Sequence, residues 1–355
     1  MTTSVSRRSL VRGIGAGAAL AAAGVSLAMP RPARAATTLT FSSWLPPKHP
    51  IVVNAFEPWA EDVKTATDGR VRVRILPKPL GGAPLHFDMA RDGVADITYG
   101  LHSFTPGDRF LLSRLAEFSF LGNDAAELSV AYWNQYTERF AAAGEHAGVH
   151  TLGVFAHGPG VLHNRVRPVR VPDDVKGLKL RVPGGYVSDL MGRMGATPLL
   201  APSPEVYEML SNGVIDGVTF TLEALTAFKL TDHLKHSTTV PGGIYNTSWF
   251  FVMNQAKWNG LEDRDKEAIT TLSGEAFARR VGKAWIDADI AAMDRIKAAG
   301  IAVIDAEPAF VSALAGHATA LEAAWADEAQ AKRGVDGRAA LAAVRAATGI
   351  TLPPT

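Results

Sequence analysis

The sequence predicts an α/β protein of two lobes. A chain of 355 residues is longer than one ordinary domain. Stretches with period-two and with helical apolar spacing alternate along its first part. The same alternation restarts after a Gly158-Pro159-Gly160 turn. With 47% hydrophobic and 20% charged residues, the composition is that of a globular chain with sizeable cores.

In the first unit, Thr38-Leu39-Thr40-Phe41-Ser42 alternates polar and apolar and predicts a strand, which Pro46, Pro47 and Pro50 end. Val52, Ala55, Phe56, Trp59, Val63 and Ala66 then fall at helical spacing, and Asp68-Gly69 closes that helix. Strands are expected over 71–75 and 95–99, with a short helix over 85–91 between them. A helix over roughly 125–143 and a strand over 149–156 follow; this rhythm belongs to a mostly parallel sheet. In the second unit, strands are expected over 178–182, 197–200 and 214–219, separated by helices over 187–194 and 205–210. Ser248 to Met253 is apolar and aromatic, as in a buried strand. From Asp263 to Ala299 the apolar residues keep helical spacing, with Asp263 placed to cap the start and Gly300 to end it. Unbroken, this helix is about 55 Å long. It therefore either spans both lobes or breaks at Gly274 or Gly282. The tail from Pro308 is Ala-rich and helical.

Charge and targeting narrow the function. The first 35 residues hold five arginines and no acidic group, which leaves 31 basic against 35 acidic residues in the remainder. A mildly acidic remainder argues against nucleic acid or an anionic membrane surface as the main partner. The chain has no cysteine, which excludes disulfides, thiolate catalysis, Cys-ligated zinc and a lipoprotein anchor. Ser6-Arg7-Arg8-Ser9-Leu10, a weakly apolar run over 13–29 and Ala33-Arg34-Ala35 have the order of a twin-arginine signal peptide. The competing reading is an N-terminal membrane anchor, for which the run is short and rich in Ala and Gly. The expected product is soluble, starts near Ala36 and is periplasmic. Gly13-Ile14-Gly15-Ala16-Gly17 echoes a dinucleotide fingerprint but has no preceding strand.

Gly177-Leu178-Lys179-Leu180-Arg181-Val182-Pro183 resembles the central motif of the solute receptors of tripartite ATP-independent periplasmic (TRAP) transporters, the DctP type. The stretch Glu205 to Gly217 resembles the family's next landmark. Gly81-Gly82, Asp92-Gly93-Val94-Ala95-Asp96 and the 263–299 helix also fit, so the resemblance covers essentially the whole chain after the leader. It implies a two-lobed periplasmic-binding-protein fold, class II-like, with hinge strands and a long helix spanning both lobes. Lobe I would take 36–156 plus about 247–280, and lobe II 157–246 plus about 281–355. The resemblance further implies that Arg181 pairs with a ligand carboxylate and that the closed receptor docks on TRAP permease subunits driven by an ion gradient. Two departures stand out. His157-Gly158-Pro159-Gly160-Val161 lacks an arginine often present in the family, and Val218-Thr219-Phe220 replaces a polar triplet. Both make the implied pocket less polar and favour an aromatic or 2-oxo monocarboxylate over a dicarboxylate or a sialic-acid-like ligand.

Read as chemistry, the Arg181 guanidinium offers a planar fork that matches two carboxylate oxygens. Its competing partner is a protein carboxylate, Glu223 or Asp216. Trp44 and His49 follow the first strand, and His102 and Phe104 the third, where such folds bind ligands; ordinary packing accounts equally for Trp44. Tyr245 and Asn246 sit near the expected crossover as hydrogen-bond donors, or as turn residues. His157 joins the candidates beside the first departure and Glu223 beside the second, and Phe220 suits a pocket wall. An enzyme is disfavoured: the chain has no Gly-x-Ser-x-Gly elbow, His-Glu-x-x-His helix or P-loop. Asp232, His233 and His236, taken as one helix, fit a solvated face better than a metal corner. No cofactor or metal is expected. The ligand is a small organic acid, and the receptor a monomer or dimer. Rival readings are a receptor for an ATP-driven importer, a periplasmic hydrolase and a sensor subunit serving a membrane kinase.

Overall fold

The computed structural model describes residues 36–105 and 107–353. The predicted signal peptide, its cleavage site and the glycine-rich echo lie outside the described residues. Eleven strands among the described residues form two sheets: β1 (Thr37–Ser42), β2 (Val71–Ile75), β3 (Ile97–Leu101), β4 (Val149–Ala156), β5 (Val161–Asn164), β6 (Lys179–Val182), β7 (Thr197–Leu200), β8 (Gly217–Phe220), β9 (His236–Thr239), β10 (Ser248–Asn254) and β11 (Ala302–Asp305). The helices are α1 (Glu57–Ala66), α2 (His86–Arg91), α3 (Ala125–Gln135), α4 (Gly185–Arg193), α5 (Val206–Ser211), α6 (Leu222–Ala227), α7 (Gln255–Asn259), α8 (Asp263–Leu272), α9 (Gly274–Ala298), α10 (Pro308–Arg333) and α11 (Gly337–Thr348).

The first sheet has the order β2-β1-β3-β10-β4, with β10 antiparallel to both of its neighbours. The second has the order β11-β9-β5-β8-β6-β7, with β5 antiparallel to β8 and β9. Each sheet supports one lobe, and the fold is the two-lobed α/β architecture expected. The chain changes sheet three times: through 157–160, through 240–247, and along α9. The first two segments bond to each other, Gly160 N–H to Tyr245 O at 2.9 Å and Ile244 N–H to Gly160 O at 3.0 Å. They approach so closely that a Cβ on Gly160 would lie 2.4 Å from the Tyr245 ring. Helix α9 gives Phe277, Val281 and Trp285 to the core of the first lobe and Ala292 and Ile296 to that of the second. That first core is aromatic, with Phe41, Phe56, Trp59, Tyr99, Phe251 and Phe277 in mutual ring contact.

The 263–299 helix breaks at Gly274, one of the two glycines expected to break it: Gly274 takes a left-handed φ of +59° and separates α8 from α9, whereas Gly282 stays helical. Other elements depart from the expected pattern. The helix after Ile51 begins as a π turn over Val52–Phe56, because Pro58 has no N–H to give the carbonyl four residues back. The predicted 125–143 helix is α only to Gln135, then widens into a π turn over Tyr136–Phe140 and tightens into a 3₁₀ turn over Ala141–Ala143. Asp232 and His233 lie on a 3₁₀ turn and His236 on β9, so they do not share a helix. Strands β5, β9 and β11 and helix α6 were not expected from the sequence.

Gly274 is also boxed in sterically, since a Cβ there would lie 2.8 Å from the Trp133 ring. Gly274→Ala should therefore cost about 1–3 kcal/mol of stability in urea unfolding. A loss below about 0.5 kcal/mol would mean that α8 and α9 can straighten freely.

Candidate functional site

Both lobes and the crossing segments wall one cavity, lined by aromatic rings, two histidines and Arg181. At the end of β6, Arg181 is 1% exposed. Three of its five N–H donors are engaged: Nε donates to Ala201 O at 2.8 Å, one terminal nitrogen to Thr219 O at 3.3 Å, and the other to Ser203 Oγ at 3.4 Å. The Phe220 ring lies 4.3 Å beneath the guanidinium carbon. Among the described residues no carboxylate forms an ion pair with Arg181. Asp216 instead accepts from Lys179 N at 2.9 Å, and Glu223 accepts from Trp285 Nε1 at 3.1 Å. Burial pulls the guanidinium down to about 10, opposed by Tyr245 and Glu205. Thr219 and Arg181 adjoin the buried Tyr245, whose hydroxyl burial pushes above its ordinary range.

The facing wall is an aromatic slab. Trp44 stacks on Tyr99 at 5.3 Å and on Trp249 at 5.9 Å, with interplanar angles of 15° in both cases. Phe228, Trp285 and Phe220 extend the apolar lining. Two histidines complete it, both neutral because burial lowers His49 to about 3 and His157 to about 4. Ile51 N–H donates to His49 Nδ1, which puts the ring proton on Nε2. His157 Nδ1 faces Gly158 O at 2.5 Å and carries its proton there, leaving Nε2 as an acceptor. Trp44 Nε1, Trp249 Nε1 and Thr247 Oγ1 are buried without a hydrogen-bond partner among the described residues. The lining is thus rich in donors, with one permanent cation.

Of the ten residues singled out in the sequence, the cavity brings together Arg181, Trp44, His49, His157, Phe220, Glu223 and Tyr245. Three lie elsewhere. His102 bonds Ser248 Oγ at 2.7 Å and His146 Nε2 at 2.8 Å inside the first lobe. Phe104 packs behind Trp44 at 6.2 Å and borders a separate crevice with His102 and Glu117. Asn246 donates from its amide to Gly158 O at 3.3 Å and accepts from Thr247 N, so it serves the crossing segments. Sequence reasoning missed Ser203, Phe228, Thr247, Trp249 and Trp285. Trp249 and Trp285 carried a signal, as large aromatics on predicted buried elements, but periodicity does not say which core residues border a void.

Two α/β lobes joined by crossing segments, with a cavity between them, have the architecture of a two-lobed solute receptor. The chain matches the model of bacterial extracellular solute-binding protein, family 7, over residues 41–329, and it belongs to that family. It is 33% identical over 310 residues to the outer membrane transporter protein TsaT of Comamonas testosteroni, covering 87% of this chain and 91% of that one. A TRAP periplasmic solute-binding protein of Bordetella bronchiseptica, solved with bound (R)- and (S)-mandelate, superposes with a TM-score of 0.85 at 40% identity, covering 88% of this chain and 99% of that one. A marine-metagenome TRAP solute-binding protein specific for aromatic acid ligands, solved with 3-hydroxybenzoate, gives 0.83 at 30% identity, covering 89% and 99%.

Burial of an unpaired cation is unfavourable, so the site sets binding against stability. Arg181→Met should leave the ligand-free protein as stable as the parent, or up to about 2 kcal/mol more stable, in urea unfolding. A loss of more than about 2 kcal/mol would mean that the bonds to Ala201 and Thr219 outweigh the buried charge.

Proposed function

We propose that this protein is an extracytoplasmic receptor for a small aromatic monocarboxylate, which it delivers to a TRAP permease. The observation that carries the reading is Arg181, a buried cation with two N–H donors left over in a cavity walled by aromatic rings. The carboxylate takes the guanidinium fork and the ring lies against the Trp44 and Trp249 slab. Among the described residues Arg181 is the one permanent cation lining the cavity, which suits one carboxylate rather than two. The unpartnered donors Trp44 Nε1 and Trp249 Nε1, together with the acceptor His157 Nε2, suit a further hydroxyl or oxo group. The mandelate and aromatic-acid ligands of the similar structures support the same class. Binding draws the lobes together about the 157–160 and 240–247 segments and excludes water, which strengthens the ion pair. The twin-arginine leader read in the sequence supports export, and the family resemblance supports a membrane permease as partner. The solute-binding proteins that the chain resembles support a role in capture.

Calorimetry of residues 36–355 with mandelate, benzoate and 3-hydroxybenzoate tests this. At least one should bind and raise the melting temperature. Arg181→Ala should weaken that binding by at least about 2–3 kcal/mol, roughly 30- to 150-fold in Kd. Unchanged binding in Arg181→Ala would sink the site assignment.

A further inference from the structure

Glu223 and Asp289 are two carboxyl groups held side by side at the wall of the cavity. Glu223, at the start of α6, is 3% exposed and lines the cavity. Asp289, on α9, is half-buried behind it. Their side chains hydrogen-bond to each other, and Asp289 Oδ1 also accepts from Glu223 N at 2.8 Å. The remaining capacity is filled by uncharged groups: Trp285 Nε1 and Thr221 Oγ1 donate to Glu223. Asp289 Oδ2 lies against the crossing segment, where a Cβ on Gly158 would come within 2.7 Å. Among the described residues neither carboxyl has a lysine or arginine within ion-pair distance. Two carboxylates in contact, with no cation, do not both ionise in a site sealed from water.

We propose that Glu223 and Asp289 share a single proton and that this proton is a condition of solute binding, so that the cavity takes a monoanion while the pair is protonated and releases it when the pair loses its proton. The proposal rests on the receptor reading of the same cavity. With the proton in place, the wall carries Arg181 and one negative charge, and an incoming carboxylate meets a balanced site. Without it, two negative charges flank the site against one positive, and a third is repelled. A dicarboxylate meets the same penalty at any pH.

The surrounding groups leave the pair alone to titrate. Burial raises both carboxyls, and the neighbouring Glu223 charge raises Asp289 further. Of the other groups facing this wall, His157 from the first crossing segment and His49 from the opposite lobe are neutral above pH 5. Arg181 on β6 stays charged up to about 10, and Tyr245 from the second crossing segment stays neutral beyond that. Trp285 and Thr221, the remaining neighbours, do not ionise in this range. Any change of charge in the cavity wall between pH 6 and 9 therefore belongs to the pair, which titrates as a unit.

Two measurements test the proposal. Infrared spectra of ligand-free protein at pH 7 should contain a protonated-carboxyl band that Asp289→Asn removes, and Glu223→Gln serves as the second variant if the first does not fold. An identical band in parent and variant would overturn the shared proton, whatever the protein binds. Calorimetry with mandelate from pH 6 to 9 should then show Kd rising by up to about tenfold per pH unit above the pair's second ionisation. Asp289→Asn should flatten that rise, because one negative charge remains at every pH. A flat parent profile, or the same slope in the variant, would overturn the linkage. If the parent binds none of the three aromatic acids, the receptor reading fails while the infrared result still decides the proton.

Discussion

A positive charge held inside the protein without a negative partner sets the terms for everything around it. Arg181 is buried at the end of β6 and satisfies three donors with two carbonyls and a hydroxyl. Those contacts hold the guanidinium in place but do not neutralise it. An arrangement of this kind is unfavourable in an empty cleft and favourable when an anion enters. In the receptor reading proposed above, the free energy that an ordinary ion pair would spend on the fold is kept for the ligand. The Phe220 face beneath the guanidinium moderates the unfavourable state without competing for the fork, since an aromatic ring offers a cation a partial attraction and no charge.

For that charge to be useful, the two walls of the cavity must be able to part and close in register. Helix α9 runs continuously from the Phe277 region of one core to Ile296 of the other, so it ties the lobes together. The other two links between the lobes, 157–160 and 240–247, bond to each other. This contact is as close as backbone geometry permits, because Gly160 leaves no room for a Cβ against Tyr245. His157 and Tyr245, which face the ligand space, belong to these segments. In the proposed reading, closure and recognition share residues, and a ligand that engages His157 or Tyr245 also restrains the crossing segments.

Much of this was legible in the sequence because it follows from periodicity and turn chemistry. The alternation at 38–42 and 71–75, the aromatic run at 248–253 and the helical spacing of 263–299 fall where the structure has β1, β2, β10 and α8 with α9. Strand β9 was not legible, because its residues are all polar, and β5 was not, because only Val161 and Leu162 are apolar before polar His163 and Asn164. His163 and Ser237 are buried and bond each other at 2.7 Å, and Thr238 donates to Val169 O at 2.8 Å, so they read as loop until their partners are known. The candidate site was legible where a strand end brought a charge or a ring to the cleft, as at Arg181 and Trp44. It failed for His102, which follows β3 in the same way but turns to His146 and Ser248. Position after a strand predicts proximity to the cleft, and the hydrogen-bond partners decide the direction.

Glu223 shows how a residue can be found for an incomplete reason. In the sequence it stood as a competitor for Arg181, on the ground that opposite charges in one cleft should meet. In the structure they line the same cavity and remain apart, because Glu223 is engaged by Trp285, Thr221 and Asp289. Its partner Asp289 had no signal of its own: on α9 it is one acidic residue among several on a helix that is solvent-facing for much of its length. Only the crossing of α9 behind α6 brings the two carboxyls together. The separation of Glu223 from Arg181 matters more than either residue alone. A direct ion pair would stabilise the empty cleft and hold the ligand out. A carboxyl pair that satisfies itself one step away from the cation leaves the fork free and keeps the surrounding charge low enough for an anion to enter.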